Sequence, residues 1–138
     1  MEIKIYTDGA CIGNPGPGGW AAIIINENAK KEICGGEKLT TNNRMELTAT
    51  IKALEHCVEQ EAKQPLLKLI KIYTDSKYVK EGITVWINTW EKNNWKTADK
   101  KNVKNVDLWK KLKELTAFNE IEWNWIKGHA ENPMNELA

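Results

Sequence analysis

The sequence predicts a mixed α/β protein, a single domain over residues 1–138, and three observations carry that prediction. The hexapeptide Ile-Lys-Ile-Tyr-Thr-Asp occurs twice, at Ile3–Asp8 and at Ile70–Asp75. Each copy alternates apolar and polar residues of the β-branched and aromatic types that strands favour. Two more strand-like runs follow the first copy with no helical interval, which makes a meander rather than a pure βαβ array. Between the copies, Leu47, Ile51, Leu54 and Val58 recur at helical spacing, an apolar stripe that would face a sheet.

Composition narrows the class. A chain of 138 residues can bury a real core, and 41% hydrophobic with 28% charged residues describes a globular protein rather than a disordered one. No apolar run approaches the roughly 20 residues of a membrane helix, so no membrane partner is expected. The N-terminus, Met1-Glu2-Ile3-Lys4, passes straight into a strand without signal-peptide architecture. Cys11, Cys34 and Cys57 match neither a disulfide framework nor a zinc-ligand spacing, and are read as reduced thiols in a cytoplasmic protein. A monomer is the default expectation.

In chain order, Gly9 to Gly19 reads as a tight loop after the first strand. Gly16-x-Gly18-x-x-Ala21 formally fits a dinucleotide fingerprint, but Pro17 interrupts it and a strand, Trp20–Ile25, follows where a helix is required. Asn26–Ala29 is a turn into an antiparallel strand, Glu32–Glu37. Thr40–Asn43 opens the first helix, with Asn43 as N-cap and Glu46 three residues on, the spacing of a capping box. Gln64-Pro65 ends that connection, and Leu66–Leu69 leads into the second hexapeptide. Ser76 caps a short helix, Lys77–Glu81, that Gly82 is expected to terminate. Ile83–Trp90 reads as another short helix, Glu91–Lys104 as a polar excursion, and Val106, Trp109, Leu112 and Leu115 mark a further helix. Glu120–Lys127 is the last strand, and Pro133 suits the first turn of a helix that barely begins before Ala138. The order is βββ-α-β-α-α-β.

Two features point to chemistry. If the twin strands are parallel neighbours, Asp8 and Asp75 emerge together at one sheet end, the edge where open α/β sheets bind ligands. Alternatively, each is simply a turn or capping residue. Glu46 joins them if it faces the sheet, or closes the capping box if it does not. Three carboxylates brought together repel unless a cation sits between them, and oxygen-only ligands suit Mg²⁺ or Mn²⁺ rather than Zn²⁺. Two such ions, about 3.5–4 Å apart, can clamp the attacking and leaving oxygens of a phosphodiester. The second feature is charge asymmetry. The net charge is +1, yet Lys77–Lys113 holds ten lysines against four acids, together with Trp86, Trp90, Trp95 and Trp109. Lysines among flat aromatics suit a phosphate backbone and stacked bases, although the same pattern fits a solvated helix with its tryptophans turned inward.

Four blocks carry a family resemblance: Tyr6-Thr7-Asp8-Gly9-Ala10-Cys11 with Gly13–Gly19; Thr41-Asn42-Asn43-Arg44-Met45-Glu46; Thr74-Asp75-Ser76-Lys77-Tyr78; and Trp95–Lys101 running on to Asn105–Trp109. On these the chain resembles type 1 ribonuclease H, in the bacterial form with a basic protrusion, which Trp86 to Lys101 would supply. The resemblance implies a ribonuclease H-like fold with a five-stranded mixed sheet. It implies a metal-dependent endonuclease that hydrolyses the RNA strand of RNA–DNA hybrids by a two-metal-ion mechanism. Asp8, Glu46 and Asp75 would be its metal ligands, with Mg²⁺ as cofactor and Mn²⁺ as an acceptable substitute. Asn14, Asn42 and Asn43 lie where the family contacts sugar edges, including the 2′-hydroxyls. Thr41, Lys104 and Asn105 fall at a pocket for a DNA-strand phosphate, which Arg44 either shapes or leaves for a salt bridge with a local acid. Trp86, Trp90, Lys96, Lys100 and Lys101 would line the DNA channel, and Lys77 adds a charge near the cleavage site. His129 matches a mobile catalytic histidine that assists proton transfer or product release.

The resemblance fails at one end. The family's fourth carboxylate is an aspartate after an Asn-Glu-x-x pattern; Asn135-Glu136-Leu137-Ala138 supplies the pattern and the sequence stops one residue short, with the C-terminal helix largely missing. Glu131 and Glu136 are the nearby acids that would have to stand in. The alternative reading is therefore a hybrid-binding domain with weak or no cleavage. A small-nucleotide-binding domain, which would show no salt-dependent binding to hybrids, is the third.

Overall fold

The computed structural model describes residues 2–26, 29–61, 69–117 and 120–126. Strands β1 (Glu2–Cys11), β2 (Gly16–Asn26) and β3 (Ala29–Thr40) form an antiparallel meander, and β4 (Leu69–Thr74) and β5 (Glu120–Trp125) extend it in parallel. The sheet order is β3-β2-β1-β4-β5. This is the five-stranded mixed sheet the sequence predicts, with β1 at its centre.

The two hexapeptides pair with each other in register, Ile3 with Ile70, Lys4 with Lys71, Ile5 with Ile72 and Tyr6 with Tyr73. Identical alternation gives identical facing, because side chains along a strand alternate between the two sheet faces. Ile3, Ile5, Ile70 and Ile72 are all buried in the core, while Tyr6 and Tyr73 stack with ring centroids 4.7 Å apart. Helix α1 (Asn42–Glu61) packs on β1 and β2 through Leu47, Ile51 and Leu54.

The glycine-rich stretch differs from its expected loop. β1 continues through Cys11 and β2 starts at Gly16, which leaves residues 12–15 as the turn, with Cys11 paired to Gly18. Close approach explains this. A Cβ at Gly18 would lie 2.5 Å from Thr40 Cγ2 and 2.8 Å from Ala10 O, so the missing side chain lets three strands converge. The Asn26–Ala29 turn is closed by an Asn26–Ala29 pair, and its two inner residues lie outside the described residues, as do Gln64-Pro65 and Leu66–Lys68.

Helix α1 also starts differently. Thr41, not Asn43, caps it: the Arg44 N–H donates to Thr41 Oγ1 at 3.2 Å and the Met45 N–H to the Thr41 carbonyl at 3.0 Å. Asn43 is already inside the helix, and Glu46 is not the reaching partner of a capping box.

After β4, Ser76 caps α2 (Lys77–Glu81) as expected, its Oγ accepting from the Val79 N–H at 3.2 Å. Gly82 does not stop the helix. It keeps right-handed angles (φ −59°, ψ −48°), and the chain runs on through a π-helical turn (Gly82–Trp86) into α3 (Ile87–Lys92). The glycine serves packing, since a Cβ there would sit 2.0 Å from Trp109 Cη2. Trp109 belongs to α4 (Val106–Thr116), whose Trp109, Leu112 and Leu115 are buried at the predicted helical spacing. Between α3 and α4 the polar excursion folds back on itself through a Lys96–Asn102 bridge. β5 stops at Trp125, two residues before the predicted strand end at Lys127, which lies outside the described residues.

Candidate active site

The β1–β4 pairing ends at Tyr6–Tyr73, so Asp8 stands just past it on β1 and Asp75 one residue beyond the end of β4. Glu46 reaches the same place from the first turns of α1, and Gly9 is why it can. A Cβ at Gly9 would lie 2.6 Å from the Met45 carbonyl carbon and 2.7 Å from the Glu46 nitrogen. Any side chain there would push α1 away from β1 and Glu46 away from Asp8.

One carboxylate oxygen from each of Asp8, Glu46 and Asp75 lies within 4.8 Å of the others, the one such cluster among the described residues. Glu46 is 9% exposed. Burial, then the charges of Asp75 and Asp8, push its carboxyl up to about 9, against a smaller downward pull from the Gly9 N–H. The cluster therefore cannot be fully ionised near neutrality without a positive charge among its members. Glu46 Oε2 is buried with no hydrogen-bond partner, an acceptor that only a cation or a donor from outside would satisfy. Carboxylate oxygens alone, without histidine or cysteine, make a site for a hard divalent cation. The residues fit the metal.

An open groove of about 740 Å³ begins at the N-terminus of α1, at Asn43, three residues before Glu46. Of the expected nucleic-acid residues, Asn14, Thr41, Asn43, Trp90, Lys101, Lys104 and Asn105 line it, together with Tyr78, Thr97, Asp99, Asn102 and Val103. Asn42 lies at its edge in a tie between the β1–β2 turn and α1: the Cys11 N–H donates to Asn42 Oδ1 at 2.7 Å, and the Asn42 N–H to Asn14 Oδ1 at 3.4 Å. Asn105 adopts a left-handed conformation (φ 58°, ψ 30°) ahead of α4, which asparagine tolerates better than most residues. Its Nδ2 donates to the Tyr78 hydroxyl at 3.2 Å, which also accepts from Trp109 Nε1 at 3.1 Å. Arg44 resolves both alternatives at once: it pairs with Asp107 at 3.1 Å and its Nη1 donates to Asn105 Oδ1 at 3.4 Å. Asp107 is held below the ordinary carboxylate range by that guanidinium, and Arg44 is raised in turn.

The tryptophans pack inward to different depths, with Trp90 and Trp95 partly buried against the core cluster. Trp109 is fully buried and is core; Trp86 and Trp90 remain half-buried, packed edge-on or tilted in one cluster with Tyr78 and Trp109 at centroid separations of 5.2–5.9 Å. Lys96 and Lys100 stand exposed on the excursion, Lys96 donating to Asn102 Oδ1, and neither lines the groove. Lys77 is exposed and sits with its Nζ 5.1 Å from the centre of the Trp125 ring. His129, Glu131 and Glu136 lie outside the described residues. Reading the sequence passes over three residues that build the site: Gly9, Tyr78 and Trp125. Their contacts span from 27 to 50 positions, and only the hydroxyl or indole N–H of the last two, each needing a partner when packed, hints at them.

The RNase H family profile matches residues 1–138. The chain is 56% identical over 148 residues to a protein named Ribonuclease H from Treponema denticola, covering 100% of this chain and 92% of that protein. It is 54% identical over 137 residues to one named Ribonuclease HI from Caulobacter vibrioides, covering 99% and 87%. Among solved structures it resembles LC9-RNase H1, described as a type 1 RNase H with the type 2 active-site motif. The TM-score is 0.83 at 28% identity, over 99% of this chain and 68% of that one. With sequence and fold agreeing along its whole length, the chain belongs to the RNase H family.

Proposed function

We propose that this chain is a single-domain, monomeric, cytoplasmic endoribonuclease that hydrolyses the RNA strand of RNA–DNA hybrids with Mg²⁺, Mn²⁺ being an acceptable substitute. The observation that carries the reading is the convergence of Asp8, Glu46 and Asp75, with the buried Glu46 Oε2 left unpaired; a groove lined by amide and lysine side chains, reached from the same first turns of α1, supports it. Family membership supports it, and so do three cysteines that form no disulfide with one another and the absence, among the described residues, of any helix long and apolar enough to cross a membrane.

Asp8, Glu46 and Asp75 would hold the cation. When bound, divalent metal activates water as a nucleophile and offsets the charge that develops on the phosphodiester, in the two-metal arrangement expected of the family. The protein's own part is placement. The side-chain oxygens of Asn14 and Asn42 are occupied by backbone N–H groups, so what these residues offer a ligand is amide donors. Such donors suit the sugar edge of the hybrid, including the 2′-hydroxyls that distinguish RNA from DNA, and Asn43 adds a third. Thr41, Lys104 and Asn105, which line the groove together, take a phosphate of the DNA strand, with Arg44 and Tyr78 fixing Asn105. Trp86, Trp90, Lys96, Lys100 and Lys101 guide the DNA backbone, and Lys77 lies beside the cleavage site. His129 assists proton transfer or product release.

A hybrid carrying a labelled RNA strand, incubated with Mg²⁺ or Mn²⁺, tests the proposal. RNA fragments should form from the hybrid, while duplex DNA and duplex RNA of the same sequence stay intact. Binding without cleavage under both metals would instead establish the hybrid-binding reading.

A further inference from the structure

We propose that Trp125 is a positioning residue for the metal ligand Asp75, and that its ring holds Lys77 away from the carboxylate cluster. The inference rests on the reading of Asp8, Glu46 and Asp75 as the metal site. The β4–β5 ladder ends with Thr74 opposite Trp125, one residue short of Asp75. Beyond it the Ile126 N–H donates to the Thr74 carbonyl at 2.9 Å, and the Trp125 indole N–H donates to the Asp75 carbonyl at 3.0 Å. On the other flank, the Ser76 N–H donates to Thr74 Oγ1 at 3.0 Å, and Ser76 caps α2. The turn that carries Asp75 is thus pinned on both sides, and on the β5 side a side chain is the pin.

Burial does not account for this tryptophan. Trp125 remains 38% exposed at the end of its strand, where an ordinary polar residue would fit the solvent better. What it supplies is a donor 3.0 Å from the backbone of a metal ligand and a flat face under a cation. Lys77 is only two positions from Asp75. An exposed lysine so near three carboxylates would be drawn toward them and would compete with a divalent ion for their charge. Seated over the ring at 5.1 Å, within cation–π range, its ammonium has an alternative partner. Trp125 therefore acts on the metal site twice, by fixing the backbone of Asp75 and by restraining a cation two positions from it. Partners that orient metal ligands typically contribute about 10–100-fold in metal affinity.

The test is Mn²⁺ binding by calorimetry on the whole chain without nucleic acid, alongside hybrid cleavage and thermal melting in EDTA. Trp125→Phe keeps the ring and removes the N–H. It should raise the Mn²⁺ Kd about 10-fold and lower kcat at limiting metal, with recovery at high Mn²⁺. Its melting temperature in EDTA should stay within about 3 °C of wild type, and KM for the hybrid should be unchanged. Trp125→Leu should lose more affinity than Trp125→Phe, and Lys77→Met in that background should restore the difference. Wild-type Mn²⁺ affinity in Trp125→Phe, or an affinity loss matched by a large fall in melting temperature, would overturn the inference. Absence of Mn²⁺ binding in the wild type would overturn both it and the metal-site reading beneath it.

Discussion

Replacing Glu46 with glutamine should make the metal-free protein more stable while destroying its metal site. In the folded, metal-free state the Glu46 carboxyl keeps its proton up to about pH 9, because it is buried and faces Asp75 and Asp8. In the unfolded chain it ionises near 4.5. Between those values the folded state binds the extra proton, so stability is full below pH 4.5 and falls as pH rises through the window. Each pH unit costs about 1.4 kcal/mol, which gives about 3 kcal/mol by pH 7. Glutamine has nearly the same shape and no titration, so Glu46→Gln removes that loss. For a chain of this size the gain corresponds to about 10 °C in melting temperature near pH 7, shrinking toward zero near pH 4.5. Thermal melts in EDTA from pH 5 to 8.5 read the difference directly, since the two proteins differ in this one ionisable group. Adding Mg²⁺ or Mn²⁺ should then invert the order, stabilising wild type and leaving the variant unmoved. A variant no more stable than wild type at pH 8 in EDTA, or a stability difference independent of pH, would refute the account of the cluster as mutually repelling carboxylates awaiting a cation.

Three other outcomes follow from named contacts. Gly82→Ala places a methyl group 2.0 Å from the buried Trp109 ring, so the unfolding free energy should fall by about 2–3 kcal/mol, read as a lower denaturant midpoint with little change in m; an unshifted midpoint would contradict the close packing. Arg44→Lys loses the second donor needed to hold Asp107 and Asn105 together. Its exposed ion pair contributes only about 0.5 kcal/mol, present at neutral pH and lost as pH falls below 3.8 through the lowered Asp107 pKa, so the main effect should be a raised KM for the hybrid. The double change Lys101→Ala with Lys104→Ala should weaken hybrid binding and lower the slope of log affinity against log salt by about 1–2, whereas an unchanged slope would remove these lysines from the phosphate path.

The twin hexapeptides carry much of what is legible in the sequence. Strand alternation is a property of neighbouring residues, so Ile3–Asp8 and Ile70–Asp75 declare their facing locally, and equal facing favours pairing in register. That already places Asp8 and Asp75 at one sheet end. The helical spacing of Trp109, Leu112 and Leu115 and the Ser76 cap are legible for the same reason, since each depends on residues within one or two turns.

By itself, then, the sequence determined most element types, the buried faces and the pairing of Asp8 with Asp75, while Glu46 joined them only through the family resemblance. Tertiary structure decided what local pattern could not. Glu46 has the spacing of a capping box, and only the bare Cα of Gly9, 37 positions earlier, lets α1 come close enough to bring it to Asp8 and Asp75. Gly82 has the place of a helix terminator, and only Trp109, 27 positions later, shows that its missing Cβ is room for an indole. The left-handed Asn105, held by Arg44 and Tyr78, and Trp125, bonded to the Asp75 carbonyl, belong to the same class. Propensity and periodicity act over a few residues, whereas steric approach and charge burial act through space, between parts of the chain that are neighbours only once it has folded.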